Sequence, residues 1–562
     1  MRTNQMSFKR LKIEDYSKRF LNLLNKLESS TTFSEQNHWF EDLNKHRFLF
    51  ETTQNFVRLQ YFQNLEDVFF QKEYTFFNQI EPNYLNLVAQ YYQVILSSKF
   101  RPQLEEQWGK QLFRLADVKV KTFSEEVVKD LQYENKLVSE YQQLLGKVSF
   151  TFQGKELNFS TLSPYLGSKD RKIRKQAFEA KSFYFEQHRF EFDRLLDQLV
   201  KTRTAIARKL GYSSFIQLGY DRMSRTSFTS VELSNYRKQV REYGVPFVSS
   251  LKREQCKRIG VDRLKYYDEE LKFPKGQPEP IGEIENILEG FKRMFVQMSP
   301  ETEAFFNELV DGKMFDLESR SGKMGGAFAT YIGENNNPFI FANFNKTSND
   351  IRVFTHEAGH AFQFYMSRHW NIPEYIIPYD SAELFSFTME RFAWPWMEMF
   401  FTKDTAQYKF AHLTNAFHYM PLACVVDEFE HFIYEEPDAS PDDRRKKWRE
   451  LEQTYLPERD YNGDQFLERG GGFYEIGHMF TTPFYFMDYE LAHFCSVQFW
   501  DLSSKNPKLA WDSFIKMCKI GGSKSYLELI TDANLTSPFE ENSLQPLLQS
   551  VEKWIEQGDV LD

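Results

Sequence analysis

Residues 350 to 370 read DIRVFTHEAGHAFQFYMSRHW and place His356 and His360 four positions apart, with Glu357 beside the first. Histidine is scarce, eleven in 562 residues, so composition alone produces such a spacing only rarely. Four positions are about 6 Å of rise along one face of an α-helix, close enough for both imidazoles to meet one ion. A glutamate next to the first histidine can take a proton from water held there, which is the H-E-x-x-H chemistry of zinc sites. The stretch predicts a helix that starts near Ser348 or Asn349 as N-cap and runs to about His369, before Pro373. Catalytic zinc takes three protein ligands and keeps a position for water, so a second element must cross that helix.

The next helical pattern, YDSAELFSFTMERFAWPWMEMF, carries Glu383 and Glu390 two turns apart on one face, and either could turn back to the histidines. A purely local reading competes: Asp380 caps this helix and Glu383 completes a capping box. Spacing leaves the two readings open. His369 lies more than two helical turns beyond His360, a poor place for a third ligand.

The rest of the chain reads mainly as amphipathic helix, as in YSKRFLNLLNKLESS and RFEFDRLLDQLVKTRTAIARKLG. KVSFTFQGKELNFSTL alternates around Gln153-Gly154 and predicts a hairpin. AFATYI and PFIFANF, separated by GENNNP, predict two strands just before the histidine helix, and an exposed edge there could take an extended peptide as an added strand. Residues 271 to 285, rich in Pro and Gly, predict a long loop. Aromatic residues reach 17%, with 57 Phe, enough for packed helices or an aromatic-lined cavity. Four scattered cysteines suggest buried thiols rather than disulfides. A net charge of -10 gives no basic footprint for nucleic acid. No apolar run is long enough for a signal peptide core or a membrane span, so the expected location is the cytoplasm.

Four blocks resemble the thimet-oligopeptidase and oligoendopeptidase F family of zinc metallopeptidases, and the oligoendopeptidase F branch most. They are LGYDRMSRTSFTSVELSNYRKQV, KMGGAFATYI with PFIFANFN, FTHEAGHAF with SAELFSFTMERF, and ERGGGFYEIGHMFTTPFYFMDYELAHFCSVQFW. The resemblance covers roughly residues 200 to 530. It implies a mainly α, two-lobed fold with a deep central cleft and a small β-sheet beside the zinc-binding helix. An N-terminal helical lobe would span 1–200 and the catalytic region 201–562.

By the same resemblance His356, His360 and Glu383 hold one Zn2+ per chain, Glu357 is the general base, and Glu390 steadies a ligand. His478 and Tyr485 would stabilise the tetrahedral intermediate, with Tyr489 a further candidate. Phe484, Tyr485, Phe486 and Met487 are adjacent, so a one-residue shift would change which side chain faces the metal. Gly326, Ala327 and Phe328 would hold the peptide along the strand. The implied activity is endo-cleavage of short unfolded peptides. The alternatives are an end-cleaving carboxypeptidase or dipeptidyl carboxypeptidase with the same ligands, or a peptide-binding protein that has lost catalysis.

Overall fold

The computed structural model describes residues 10–333 and 337–557, and among these the chain is mainly α-helical. Helix Ile13–Ser29 buries Tyr16, Phe20, Leu23, Leu24 and Leu27, a stripe at three- and four-residue spacing. It packs with helices Phe33–Gln63 and Val68–Leu96, which start at Thr32 and Asp67, residues whose side chains accept first-turn backbone N–H bonds. With Lys110–Lys121 they enclose a core of Phe20, Phe50, Phe77, Tyr91 and Leu112. Arg47 and Tyr92, on two of these helices, both donate to the Glu374 carboxylate. That ties the N-terminal helices to the segment just ahead of Glu383.

The predicted hairpin is present as β1 (Phe150–Phe152) and β2 (Lys155–Leu157), antiparallel. Gln153 and Gly154 both have positive φ, 52° and 75°, the backbone that a two-residue turn requires. The second sheet has three strands, β3 (Phe315–Glu318), β4 (Phe328–Ile332) and β5 (Asn337–Phe344), in the order β3-β5-β4. β4 and β5 are the expected antiparallel pair, and β3, which runs parallel to β5, was not anticipated. The centre of the turn expected in GENNNP, residues 334–336, lies outside the described residues.

β5 leads into the histidine helix, Ser348–Ser367, whose N-cap is Thr347 and neither Ser348 nor Asn349. The Thr347 side chain makes no capping bond. The first-turn Asp350 instead turns back to accept from the N–H groups of Asn345 (2.9 Å) and Lys346 (2.7 Å), fixing the entry of the chain. The helix ends at Ser367, and His369 falls in a separate 3-10 turn, Arg368–Trp370. The predicted loop holds up to residue 283, where helix Ile284–Met298 begins.

The glutamate helix, Ala382–Phe392, crosses the histidine helix at Gly359. A Cβ on Gly359 would lie 2.6 Å from Ser386 Cα and 2.7 Å from Phe385 O, so the backbones meet without a side chain between them. Leu384, Phe385 and Met389 are buried at this packing, each contributing about 1.5–3 kcal/mol by leaving water. Helix Phe486–Lys505 covers the other side of the glutamate helix, with the Phe387 and His493 rings 3.8 Å apart. The long helix, Thr405–Glu435, brings His412, Asn415, His418 and Tyr419 to the same cavity. That cavity holds about 970 Å³ and is also walled by Leu145, Ser160, Gly326, His356 and Glu357. Its lining thus comes from both sides of residue 200.

Candidate metal centre

His356, His360 and Glu383 come together as one group, their ligand atoms all within 4.8 Å of one another. Glu383 Oε2 lies 3.2 Å from His356 Nε2 and 3.3 Å from His360 Nε2, so the two imidazoles and one carboxylate oxygen converge on a single point. The capping reading fails: the N-cap of the glutamate helix is Ser381, without a side-chain capping bond, and Asp380 Oδ2 has no partner among the described residues. Ser386, one turn on, donates to Glu383 Oε2 at 3.0 Å and holds its rotamer.

The surroundings favour positive charge at this point. Burial alone would lower the His356 pKa, but bonds to Glu383 and Glu390 carry it up to about 10. Glu383 is buried, which would raise it, yet the histidines hold it well below the usual carboxylate range. Nitrogen and oxygen donors of this kind, converging and electrostatically hungry for a cation, fit a divalent metal ion.

Behind the histidines runs a chain of directed hydrogen bonds. The Trp394 Nε1–H donates to His412 Nδ1 at 2.8 Å, which leaves the His412 proton on Nε2. That Nε2–H donates to Glu390 Oε2 at 2.5 Å, and Glu390 Oε1 accepts from His356 Nδ1 at 2.7 Å. With its Nδ1 proton held by Glu390, His356 turns Nε2 toward His360 and Glu383, so that loss of the Nε2 proton to an incoming metal leaves the tautomer that a metal needs. His412 was not singled out from the sequence. Its only local signal is a scarce histidine on a helix that carries two more, His418 and His431, and its partners Glu390 and Trp394 lie on other elements.

Glu357 is buried, and its Oε2 has no hydrogen-bond partner among the described residues. Burial pushes its carboxyl up from the ordinary value, toward the range of a base that works near neutral pH. Tyr485, rather than a neighbour, reaches the group: its hydroxyl donates to Glu383 Oε1 at 2.5 Å. Tyr489 OH lies 3.2 Å from His478 Nε2, and the rings of His478 and Tyr485 stack at 5.7 Å. Burial lowers the His478 pKa, leaving a neutral imidazole.

The register that selects Tyr485 is set one residue earlier. Phe484 has φ +68°, and its ring packs where a Gly219 Cβ would come within 2.5 Å of it. Its N–H donates to Glu430 Oε2 (3.0 Å), and its carbonyl accepts from Arg225 (2.6 Å). Burial pushes the Glu430 carboxyl up to about 8, against the pull of the Phe484 N–H. An unfolded glutamate titrates near about 4.3, so between these values the folded chain keeps a proton that the unfolded chain has lost. The contribution of Glu430 to stability therefore falls as pH rises through that window. Glu430→Gln keeps an acceptor for Phe484 and cannot ionise. Thermal unfolding is expected to show the variant melting above the parent at about pH 8, with the gap closing at about pH 5.

Gly326 and Ala327 line the cavity but precede β4, so of the three expected strand positions only Phe328 lies in it. Gly326 has φ +91°, and its carbonyl accepts from Asn343 Nδ2 at 2.8 Å. β4 is one of the two outer strands, but Asn55 from helix Phe33–Gln63 donates to the Tyr331 carbonyl, so the far end of that edge is covered.

Residues 165–547 match Peptidase family M3, and residues 3–123 match the Peptidase M3 N-terminal domain. The chain belongs to peptidase family M3. This M3 member is thereby a metallopeptidase. It is 26% identical over 402 residues to the Oligoendopeptidase F homolog of Borreliella burgdorferi, covering 68% of this chain and 65% of that protein's length. It is 22% identical over 467 residues to Oligopeptidase PepF of Bacillus subtilis, covering 76% and 68%. The solved structure of PZ peptidase A with inhibitor 2 superposes with a TM-score of 0.98 at 43% identity over all of both chains. Oligoendopeptidase-F from Enterococcus faecium, at 16% identity and TM-score 0.61 over 98% of this chain and all of that one, shares the fold.

Proposed function

We propose that this M3 peptidase is a zinc-dependent oligoendopeptidase that hydrolyses internal bonds of short unfolded peptides. The observation that carries the reading is the convergence of His356 Nε2, His360 Nε2 and Glu383 Oε2 beside the buried Glu357, whose Oε2 has no partner among the described residues, on one large cavity. His356, His360 and Glu383 would hold the zinc. When bound, it would polarise a peptide carbonyl and lower the pKa of water.

Glu357 takes the proton from the attacking water and later delivers it to the leaving amine. His478 and Tyr489 would offer donors to the oxygen on which charge builds, and Tyr485 would join them by turning its hydroxyl from Glu383. Glu390 and His412 hold His356 in its ligating tautomer. The main chain around Gly326, Ala327 and Phe328 aligns an extended peptide, which fixes its direction while discriminating little between sequences. In this reading residues 1–200 form one lobe over the cleft and 201–562 the other, and the cavity between them admits peptides but not folded proteins. A cytoplasmic location belongs to the proposal; among the described residues no helix is long and apolar enough to cross a membrane.

An internally quenched peptide blocked at both ends tests the endo-cleavage. Cleavage that chelator abolishes and zinc restores is the expected result. Cleavage only of peptides with free ends would instead establish an end-cleaving enzyme.

A further inference from the structure

The wall of the cavity formed by the long helix carries a second polar group that the mechanism above does not use. Lys272, in the loop after residue 271, is only 4% exposed and lines the cavity, yet no carboxylate among the described residues pairs with it directly. Its ammonium donates to the Glu269 carbonyl (2.9 Å) and to His418 Nδ1 (3.1 Å), which leaves one N–H over. Because His418 Nδ1 accepts, its proton sits on Nε2. That Nε2–H is buried and has no acceptor among the described residues.

The neighbouring charges do not fill this gap. Glu269 is shared by Lys252 (3.0 Å) and Arg459 (2.8 Å), and the exposed Glu270 is the other carboxylate on this wall. Lys252, Lys272 and Arg459 against Glu269 and Glu270 leave one positive charge in excess on this wall. Burial lowers Lys272 only to about 8, so it remains mostly charged near neutrality, while burial keeps His418 neutral. Two spare donors and a net positive charge in an enclosed space are what a carboxylate requires.

We propose that Lys272 and His418 form a carboxylate-binding subsite in the cavity that also holds the metal group, and that it takes a carboxylate of the bound peptide. This rests on the peptidase reading of the same cavity. His418 lies six positions after His412, about 9 Å of helix rise from the residue that orients His356 through Glu390. An extended peptide covers that rise with roughly three residues, and the metal group lies further on, past Glu390 and His356. The C-terminal carboxylate of a short peptide, or an acidic side chain near the cut, can therefore reach Lys272 while the chain lies at the metal group. A site of this kind favours peptides that end within the cavity over longer chains without requiring a free end.

The test uses four peptides of one sequence: the free acid, the C-terminal amide, the amide with a terminal Asp, and the same amide with Asn. Dissociation constants are measured on the full-length Glu357→Gln chain, and cleavage rates on the parent. The expected result is that the free acid binds at least about tenfold tighter than the plain amide. This preference falls to about twofold or less in Lys272→Met or His418→Asn, while binding of the amide is kept. Tight binding of the Asp amide but not the Asn amide would show that a side chain can supply the carboxylate. Equal binding of all four peptides, or an acid preference undiminished in both variants, overturns the subsite. Loss of cleavage with the binding preference intact would overturn the peptidase reading and leave the subsite standing.

Discussion

Glu357→Gln lowers peptide cleavage about 1000-fold while leaving the metal content of the chain unchanged. General bases contribute about 100- to 10,000-fold, and the position of Glu357 explains why this one falls well inside that range. Its carboxyl is buried and raised in pKa, and among the described residues no group holds its Oε2, so that oxygen is free for a water proton. Glutamine fits the same space but accepts no proton. The His356, His360 and Glu383 atoms do not depend on it, so metal content separates loss of the base from loss of the site. A variant that cleaves at the parent's rate would remove Glu357 from the mechanism.

The second large effect comes from a residue with no polar atom in its side chain. On helix propensity alone, Gly359→Ala should stabilise the histidine helix by about 1 kcal/mol. The crossing reverses the sign, because the new methyl would lie within 2.7 Å of the main-chain oxygen of Phe385 and even closer to Ser386 Cα. Backbone cannot rotate out of the way as a side chain can, so the helices must separate. Overpacking of this kind costs about 1–3 kcal/mol, and a shift near 1 Å in a catalytic group costs about 100-fold in rate. Gly359→Ala is expected to lower the melting temperature and cut activity by at least about 100-fold, with weakened metal retention because Glu383 rides on the displaced helix. Thermal unfolding and metal analysis of the same sample check all three. Unchanged stability with full activity would mean that the helices do not meet at Gly359.

These two residues also mark how far the sequence could be read. The histidine helix, the β4–β5 pair and the Gln153-Gly154 turn were legible because each follows from local periodicity or turn chemistry. Glu383 was not decided by spacing: a glutamate three residues after Asp380 satisfies a capping box as well as it satisfies two histidines. Only the packing at Gly359, which brings Glu383 over His356 and His360, separates the two. The same holds for Tyr485 among four neighbouring candidates, since its direction depends on a left-handed Phe484 held by Glu430 and Arg225 from remote segments. His412 was missed for the same reason, as its role exists only through Glu390 and Trp394. β3 was missed because four residues of mixed polarity carry too little pattern to announce a strand.

The most direct test of the account is zinc per chain, measured by elemental analysis on the parent and on His360→Ala after identical purification and dialysis. The account predicts about one zinc per chain in the parent and close to none in the variant, with both proteins folded by circular dichroism. Equal zinc in the two proteins would place the metal elsewhere and contradict it.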